Sequence, residues 1–260
     1  QISFGDDNVQ VACSGDIRTL VDYENHATVS TANARFCSLF EGCKSLTSAP
    51  ELPATTLASH CYDRMFYGCT SLTVAPELPA ETLVNWCYYY MFYGCTSLTA
   101  APKLPATTLA SYCYANMFNG CTSLTVAPEL PATTLASRCY ASMFRGCTSL
   151  TVAPELPADT LVNWCYYYMF YGCTSLTAAP KLPATTLASY CYANMFNDCT
   201  NLSSITMLAT DIPAKDCLTD WVSGVASTGT FTKAASLVQG SKAGQIPTGT
   251  SGIPEGWTVV

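Results

Sequence analysis

Charged side chains are scarce: Asp, Glu, Lys and Arg make up 11% of the 260 residues, less than half the ~25% usual in soluble domains. The surface therefore has to be built largely from Ser, Thr, Asn and Tyr. Positive charge is the scarcer sign, 11 basic against 18 acidic side chains for a net charge of −7, and it is scattered. Affinity for nucleic acid needs clustered cations that release counterions, so a nucleic-acid partner is excluded. Long apolar runs are missing too. No stretch approaches the ~18 consecutive apolar residues of a spanning helix, which excludes a membrane-embedded protein. No basic n-region with an apolar h-region opens the chain, so an exported form is expected to have lost its signal or to carry it outside this sequence, with Gln1 a mature or trimmed end.

Cysteine is abundant, with sixteen in the chain. Cys61, Cys87, Cys113, Cys139, Cys165, Cys191 and Cys217 form one series spaced by 26 residues, and Cys43, Cys69, Cys95, Cys121, Cys147, Cys173 and Cys199 form a second. Phe66 through Phe196 and Leu72 through Leu202 repeat at the same interval. Self-similarity at one fixed period means an array of stacked units. Residues 82–119 are identical to 160–197, an offset of three units, so a block was copied. Residues 1–34 and 205–260 lose the pattern, as the ends of an array should when they close its exposed core.

The unit from Cys121 to Gly146 divides into three parts. Thr122–Ala127 reads as a short strand stopped by Pro128, and Glu129–Thr134 as a proline-bounded turn. A helix of about two turns follows. Ser137 stands at its N-cap, matched elsewhere by Ser59, Asn85, Ser111, Asn163 and Ser189; Gly146 stands at its left-handed C′ position, matched by Gly68, Gly94, Gly120, Gly172 and, in the last unit, Asp198. At 100° per residue, Cys61, Tyr62, Met65, Phe66 and Cys69 share one face, which is assigned to the core. Positions 60, 63, 64 and 67, which vary from unit to unit, are assigned to solvent.

The run MFNGCTSLT at Met117–Thr125 resembles the AFxxCxxLxxI pattern of BspA-like leucine-rich repeats, found in surface proteins of gut and oral bacteria. The resemblance covers residues 35–205. The first cysteine series departs from it, since the family commonly has Ile there and a slightly shorter unit. The resemblance implies a curved solenoid, a secreted or cell-surface location and a role in adhesion or binding, with no catalytic residue to carry over. Val9–Cys13 and Gly252–Val260 look like the caps of such proteins.

Residue chemistry points the same way. Nucleophilic catalysis needs a base beside Ser or Cys, and His26 and His60 recur in no other unit. Zinc is not expected, because cysteines eight apart lack the usual ligand spacing. Glu51, Glu77, Glu129 and Glu155 share a column with Lys103 and Lys181; a structural column relieved by lysines is preferred to a cation site. Asp6, Asp7 and Asn8 after Gly5 read as a turn and not a calcium loop, because further ligands are missing. The cysteines permit either a ladder of buried thiols or forward disulfides from Cys43–Cys61 to Cys199–Cys217, with Cys13 and Cys37 left for each other. The forward scheme meets a distance problem, since two helical turns span ~12 Å and a disulfide allows ~7 Å.

The strongest binding candidates are large rings at the varied positions: Trp86, Tyr89, Tyr90 and Tyr93, and three units on Trp164, Tyr167, Tyr168 and Tyr171. Exposed Tyr and Trp suit sugar faces and protein hot spots; the bland alternative is that they stack on neighbouring units. The expectation is an α/β repeat solenoid, right-handed, with short strands on one face and short helices on the other. Its divisions are an N-terminal cap at 1–34, about seven units at 35–205 and a C-terminal cap at 206–260. It is expected to be a monomer without cofactor or metal that binds host protein or glycan, or else a structural spacer projecting an attached domain.

Overall fold

The computed structural model describes every residue except 3, 5–8, 34 and 213; the Asp6–Asp7–Asn8 turn lies outside the described residues. The 26-residue units stack as successive coils of chain, joined by main-chain hydrogen bonds. Among the described residues there is no α-helix, which corrects the expected helical face. The segment assigned to it is a run of overlapping tight turns. In one coil, Cys113, Ala115, Met117, Asn119 and Cys121 donate their N–H groups three residues back, to Ala110, Tyr112, Tyr114, Asn116 and Phe118. The residues between do something else. Tyr114, Asn116, Phe118 and Gly120 donate to carbonyls of the next coil, Cys139, Ala141, Met143 and Arg145, at 2.7–3.1 Å.

Left-handed residues produce this alternation. Tyr112, Asn116 and Gly120 have φ of 57°, 57° and 75°, and the same three positions recur in coil after coil. Each is the third residue of a turn, where a positive φ lets the chain reverse within four residues. The true period is thus four, two residues in and two out, where a helix has 3.6. Over nine residues the two differ too little to separate from sequence, so the core face was still read correctly: Cys61, Tyr62, Met65, Phe66 and Cys69 are fully buried. The cap assignment fails with the helix. Asn85 Oδ1 accepts from the Ser111 N–H and Asn163 Oδ1 from the Ser189 N–H, each reaching the next coil. The varied face is not uniformly solvent either, since Ala115, Ala141 and Ser142 are buried.

The expected strand shrinks to one bridging residue per coil over most of the array, as Ala100, Val126 and Val152 pair in parallel. Proline two residues on, such as Pro128, has no N–H with which to lengthen the ladder. Longer pairing occurs only towards the ends. Strand β1 (Val11–Ala12) lies parallel to β2 (Leu46–Ser48), and β3 (Ser204–Met207), β4 (Thr230–Lys233) and β5 (Thr258–Val259) form a parallel sheet in that order. The turn ladder runs on past residue 205, with Asp216, Asp220 and Gly224 again left-handed.

Aromatic columns fill the core. Phe40, Phe66, Phe92, Phe118, Phe144, Phe170 and Phe196 stack at 5.6–5.7 Å between ring centroids. Tyr62 through Tyr192 form a second stack at 5.8–5.9 Å. Trp221 ends both, 6.1 Å from Phe196 and 6.4 Å from Tyr192, and its indole N–H donates to Gly252 O.

No disulfide joins any of the sixteen cysteines, and all but Cys13 and Cys37 are buried. The second series has a defined partner: the Cys121 S–H donates to Phe92 O of the coil before, at 3.1 Å, and the bond recurs from Cys69 to Cys199. The Phe92 carbonyl also accepts the Cys95 N–H, so both its lone pairs are used. Burial pushes the Cys61, Cys69, Cys87 and Cys139 thiols up to about 12.

Two tests follow from this core. Phe118→Ala should cost ~3–5 kcal/mol in denaturant titration, whereas Asn119→Ala, on the surface, should cost under ~1 kcal/mol; equal losses would disprove the inside–outside assignment. The thiols give a pH signature. An unfolded thiol ionises near pH ~8.5 while its folded counterpart stays protonated, so between the two values the unfolded chain binds fewer protons. Stability then falls as pH rises, by ~1.4 kcal/mol per pH unit for each such thiol. The melting temperature should be level from pH 6 to 8 and drop steeply above ~9, with sixteen thiols alkylated in denaturant; two or fewer would mean disulfides.

Candidate functional site

In each coil the turn ladder presents four side chains on its outer side, at the positions of His60, Asp63, Arg64 and Tyr67. Two of these, 60 and 64, are left-handed. The ladder's main-chain bonds hold equivalent residues of successive coils in register, so each position becomes a column.

The first column is His60, Trp86, Tyr112, Arg138, Trp164 and Tyr190, and it is one continuous stack. Trp86 lies 5.5 Å from His60 and 3.7 Å from Tyr112, nearly parallel to both. The Arg138 guanidinium sits over Tyr112 at 5.4 Å and over Trp164 at 4.7 Å, and Trp164 stacks on Tyr190 at 3.8 Å. His60 is also held by Asp63 Oδ2 at 2.9 Å, and burial raises the Asp63 carboxyl above its usual range. Among the described residues no Ser or Cys hydrogen-bonds to this histidine.

All eight ring residues singled out from sequence lie on this surface, and all eight are half-buried. Within a coil they touch in sequence: Trp86 meets Tyr89 edge-on at 4.8 Å, Tyr89 meets Tyr90 at 4.3 Å, and Tyr90 meets Tyr93 at 5.4 Å. Trp164, Tyr167, Tyr168 and Tyr171 repeat the arrangement at 4.9, 4.3 and 5.3 Å. Burial and a hydrogen bond with Tyr90 push the Tyr89 hydroxyl well up, and burial and a hydrogen bond with Tyr168 move Tyr167 to about 12. The idea that these rings all project freely outward is therefore corrected. The alanines and serine of neighbouring coils, Ala115, Ala141 and Ser142, are buried on the same side of the chain.

The two blocks differ at their flanks. In the first, Tyr67 stacks on Tyr93 at 4.6 Å, and beside this pair a polar cleft of about 330 Å³ opens along the array. Glu41 and Arg64 line one end, Tyr67, Tyr90 and Tyr93 the middle, and Asn116, Asn119 and Arg145 the other end. One block later Ser142 stands where Arg64 stood and Arg145 where Tyr67 stood. Arg145 there covers Tyr171 at 4.7 Å and Tyr168 at 5.2 Å. Sequence reading missed the arginines and asparagines of this cleft, although their fixed offset from the tyrosine columns was a usable signal.

Other recesses are larger but plainer. Volumes of about 480, 340 and 340 Å³ lie between proline-bounded turns, for example among Pro102, Leu104, Pro105, Pro128 and Pro131. They recur with the coils and carry only the exposed Glu and Lys of the carboxylate column. Among the described residues no group of three or more His, Cys, Asp or Glu is placed to hold a metal ion, and no helix is long and apolar enough to cross a membrane.

Comparison with curated proteins returned no match, nor did comparison with solved structures. A scan of protein families matches the BspA-type leucine-rich repeat region in six copies, over residues 37–151 and 115–212. The matched stretch is the part of the chain in which the Phe, Cys and Leu columns repeat, and this chain belongs to the BspA-type leucine-rich repeat family.

Proposed function

We propose that this chain is a non-catalytic binding or adhesion module of a secreted or surface-displayed bacterial protein, acting as a monomer, and that the outer side of its turn ladder meets host protein or glycan. The observation that carries the reading is the cleft beside Tyr67 and Tyr93, where rings, amides and guanidinium groups converge in a chain otherwise poor in charge. Membership of a surface-repeat family supports the same role. The half-buried rings retain their edges and parts of their faces for contact, which suits a sugar face or a protein hot spot. Trp86, Tyr89, Trp164 and Tyr167 serve mainly to hold the surface rigid; Tyr90 and Tyr93 line the cleft, and Tyr168 and Tyr171 lie under Arg145.

A spacer that projects an attached domain is the second reading. It is favoured by the unbroken stack from His60 to Tyr190, which stiffens the array without any need for a ligand.

Two measurements separate these readings. Trp86→Ser should lower stability by ~1–3 kcal/mol, because it removes a half-buried indole stacked on two rings. On an array of host extracellular proteins and glycans, the parent chain should retain at least one partner. Tyr90→Ser combined with Tyr93→Ser should lose that partner while its melting curve stays cooperative. Failure of the parent to retain anything would favour the spacer, and undiminished capture by the double variant would move the site off this face.

A further inference from the structure

We infer that the cleft between Arg64 and Arg145 binds one acidic oligosaccharide, with the ligand's carboxylate or sulfate at Arg145 and a neighbouring sugar ring against Tyr93. This rests on the binding reading above and specifies its ligand.

The charge distribution marks the anion end. The chain carries −7 overall and has only five arginines, yet Arg64, Arg138 and Arg145 all stand on the turn ladder. Arg138 is taken up between Tyr112 and Trp164. Arg64 has Asp63 at 3.9 Å, with Glu41 lining the same end of the cleft. Arg145 is exposed and has no carboxylate within ion-pair distance among the described residues. The carbon of its guanidinium lies over the Tyr168 and Tyr171 rings, which restrains the group while its forked N–H groups face a carboxylate or sulfate.

The middle of the cleft fits a sugar. Tyr67 and Tyr93 stack within 4° of parallel, giving an aromatic wall. Asn119 and Asn116 join side chain to side chain at 3.0 Å. Whichever way the amides are turned, that bond uses one oxygen and one N–H, leaving a second oxygen and further N–H groups to meet hydroxyls of both kinds. Arg145 is two coils from Tyr93, ~10 Å at the strand spacing, which is within the span of a disaccharide.

A peptide is the poorer fit. Adding a strand requires free main-chain groups, but here the Arg64, Tyr90, Gly94 and Asn116 N–H groups all bond to the following coil. The cleft also offers no apolar socket for an anchor residue. The copied block makes no second site, because Ser142 and Arg145 replace Arg64 and Tyr67 and Ser223 replaces Arg145.

The test is calorimetric titration of the whole chain with hyaluronan tetrasaccharide, sialyllactose and a chondroitin sulfate tetrasaccharide, with neutral chitotetraose and a glutamate-rich peptide alongside. At least one acidic sugar should bind saturably at one site per chain, at least tenfold more tightly than chitotetraose and more weakly as salt is raised. Arg145→Gln should weaken it tenfold or more, Arg145→Lys less, and Arg138→Gln hardly at all, with melting curves checked for every variant. The inference is overturned if none of the three sugars binds at 10 mM, if chitotetraose binds equally, if two sites appear, or if Arg145→Gln has no effect in a folded protein. Binding of the peptide alone would assign the cleft to acidic protein segments and overturn it as well. Retention of host partners on the array through Tyr90 and Tyr93, with no acidic sugar bound, would remove this inference and leave the broader one standing.

Discussion

The whole array depends on one alternation: along the turn segment every second N–H bonds within its own coil and every other one crosses to the next. The crossing bonds hold 26-residue units in register, and the local ones keep the segment compact enough for rings to stack at 5.6–5.9 Å. Left-handed backbone at three positions per coil makes the alternation possible. For a residue with a Cβ that conformation costs ~1 kcal/mol or more, and tryptophan, tyrosine and arginine adopt it here as well as asparagine and glycine. The strain is tolerated because a coil without it would leave the next coil's carbonyls unbonded beside a dry core, a larger penalty.

The same logic explains the chemistry of the core. A carbonyl turned inward, such as Phe92 O, needs a second donor small enough not to disturb the aromatic columns. A thiol supplies a weak S–H from a side chain that otherwise packs as a hydrophobe. Cysteine of the second series is therefore both filler and donor. In the first series the Cys61 sulfur approaches Cys87 O only at 3.9 Å, longer than any S–H bond of the second series, and it serves mainly as filler.

What was legible in the sequence was whatever repeats at 26. The columns of Phe, Cys and Leu identified the array, and the pairing of Cys61 with Tyr62 and Met65 with Phe66 identified its inner side. The helix was misread because nine residues cannot separate a period of four from one of 3.6, and because Ser, Asn and Gly suit turn ladders as well as helix ends. The left-handed conformation of Trp86 or Tyr90 was invisible, since nothing in those residue types announces it. Burial of Ala115 and Ala141 was hidden for another reason: small residues at a varying position look like tolerance for change, although both are buried. The cleft itself depends on which residues meet across five coils, and no single unit contains it.

The crossing bonds also have a direction. Each coil's turn segment gives N–H groups to the coil after it, so a bare stack would end in acceptors on one side and donors on the other. Residues outside the repeats meet some of these groups at both ends. Ile2 N donates to Leu39 O and the Gln1 amide to Glu41 O at the first end, while at the last Asp220 N is met by Ser251 Oγ and Val222 N by Thr250 O. Without these covers the two faces would fit one another head to tail, an interface that never closes into a ring unless the rotation happens to match. Residues 1–2 and 250–251 thus occupy main-chain groups through which one such stack would otherwise add to another.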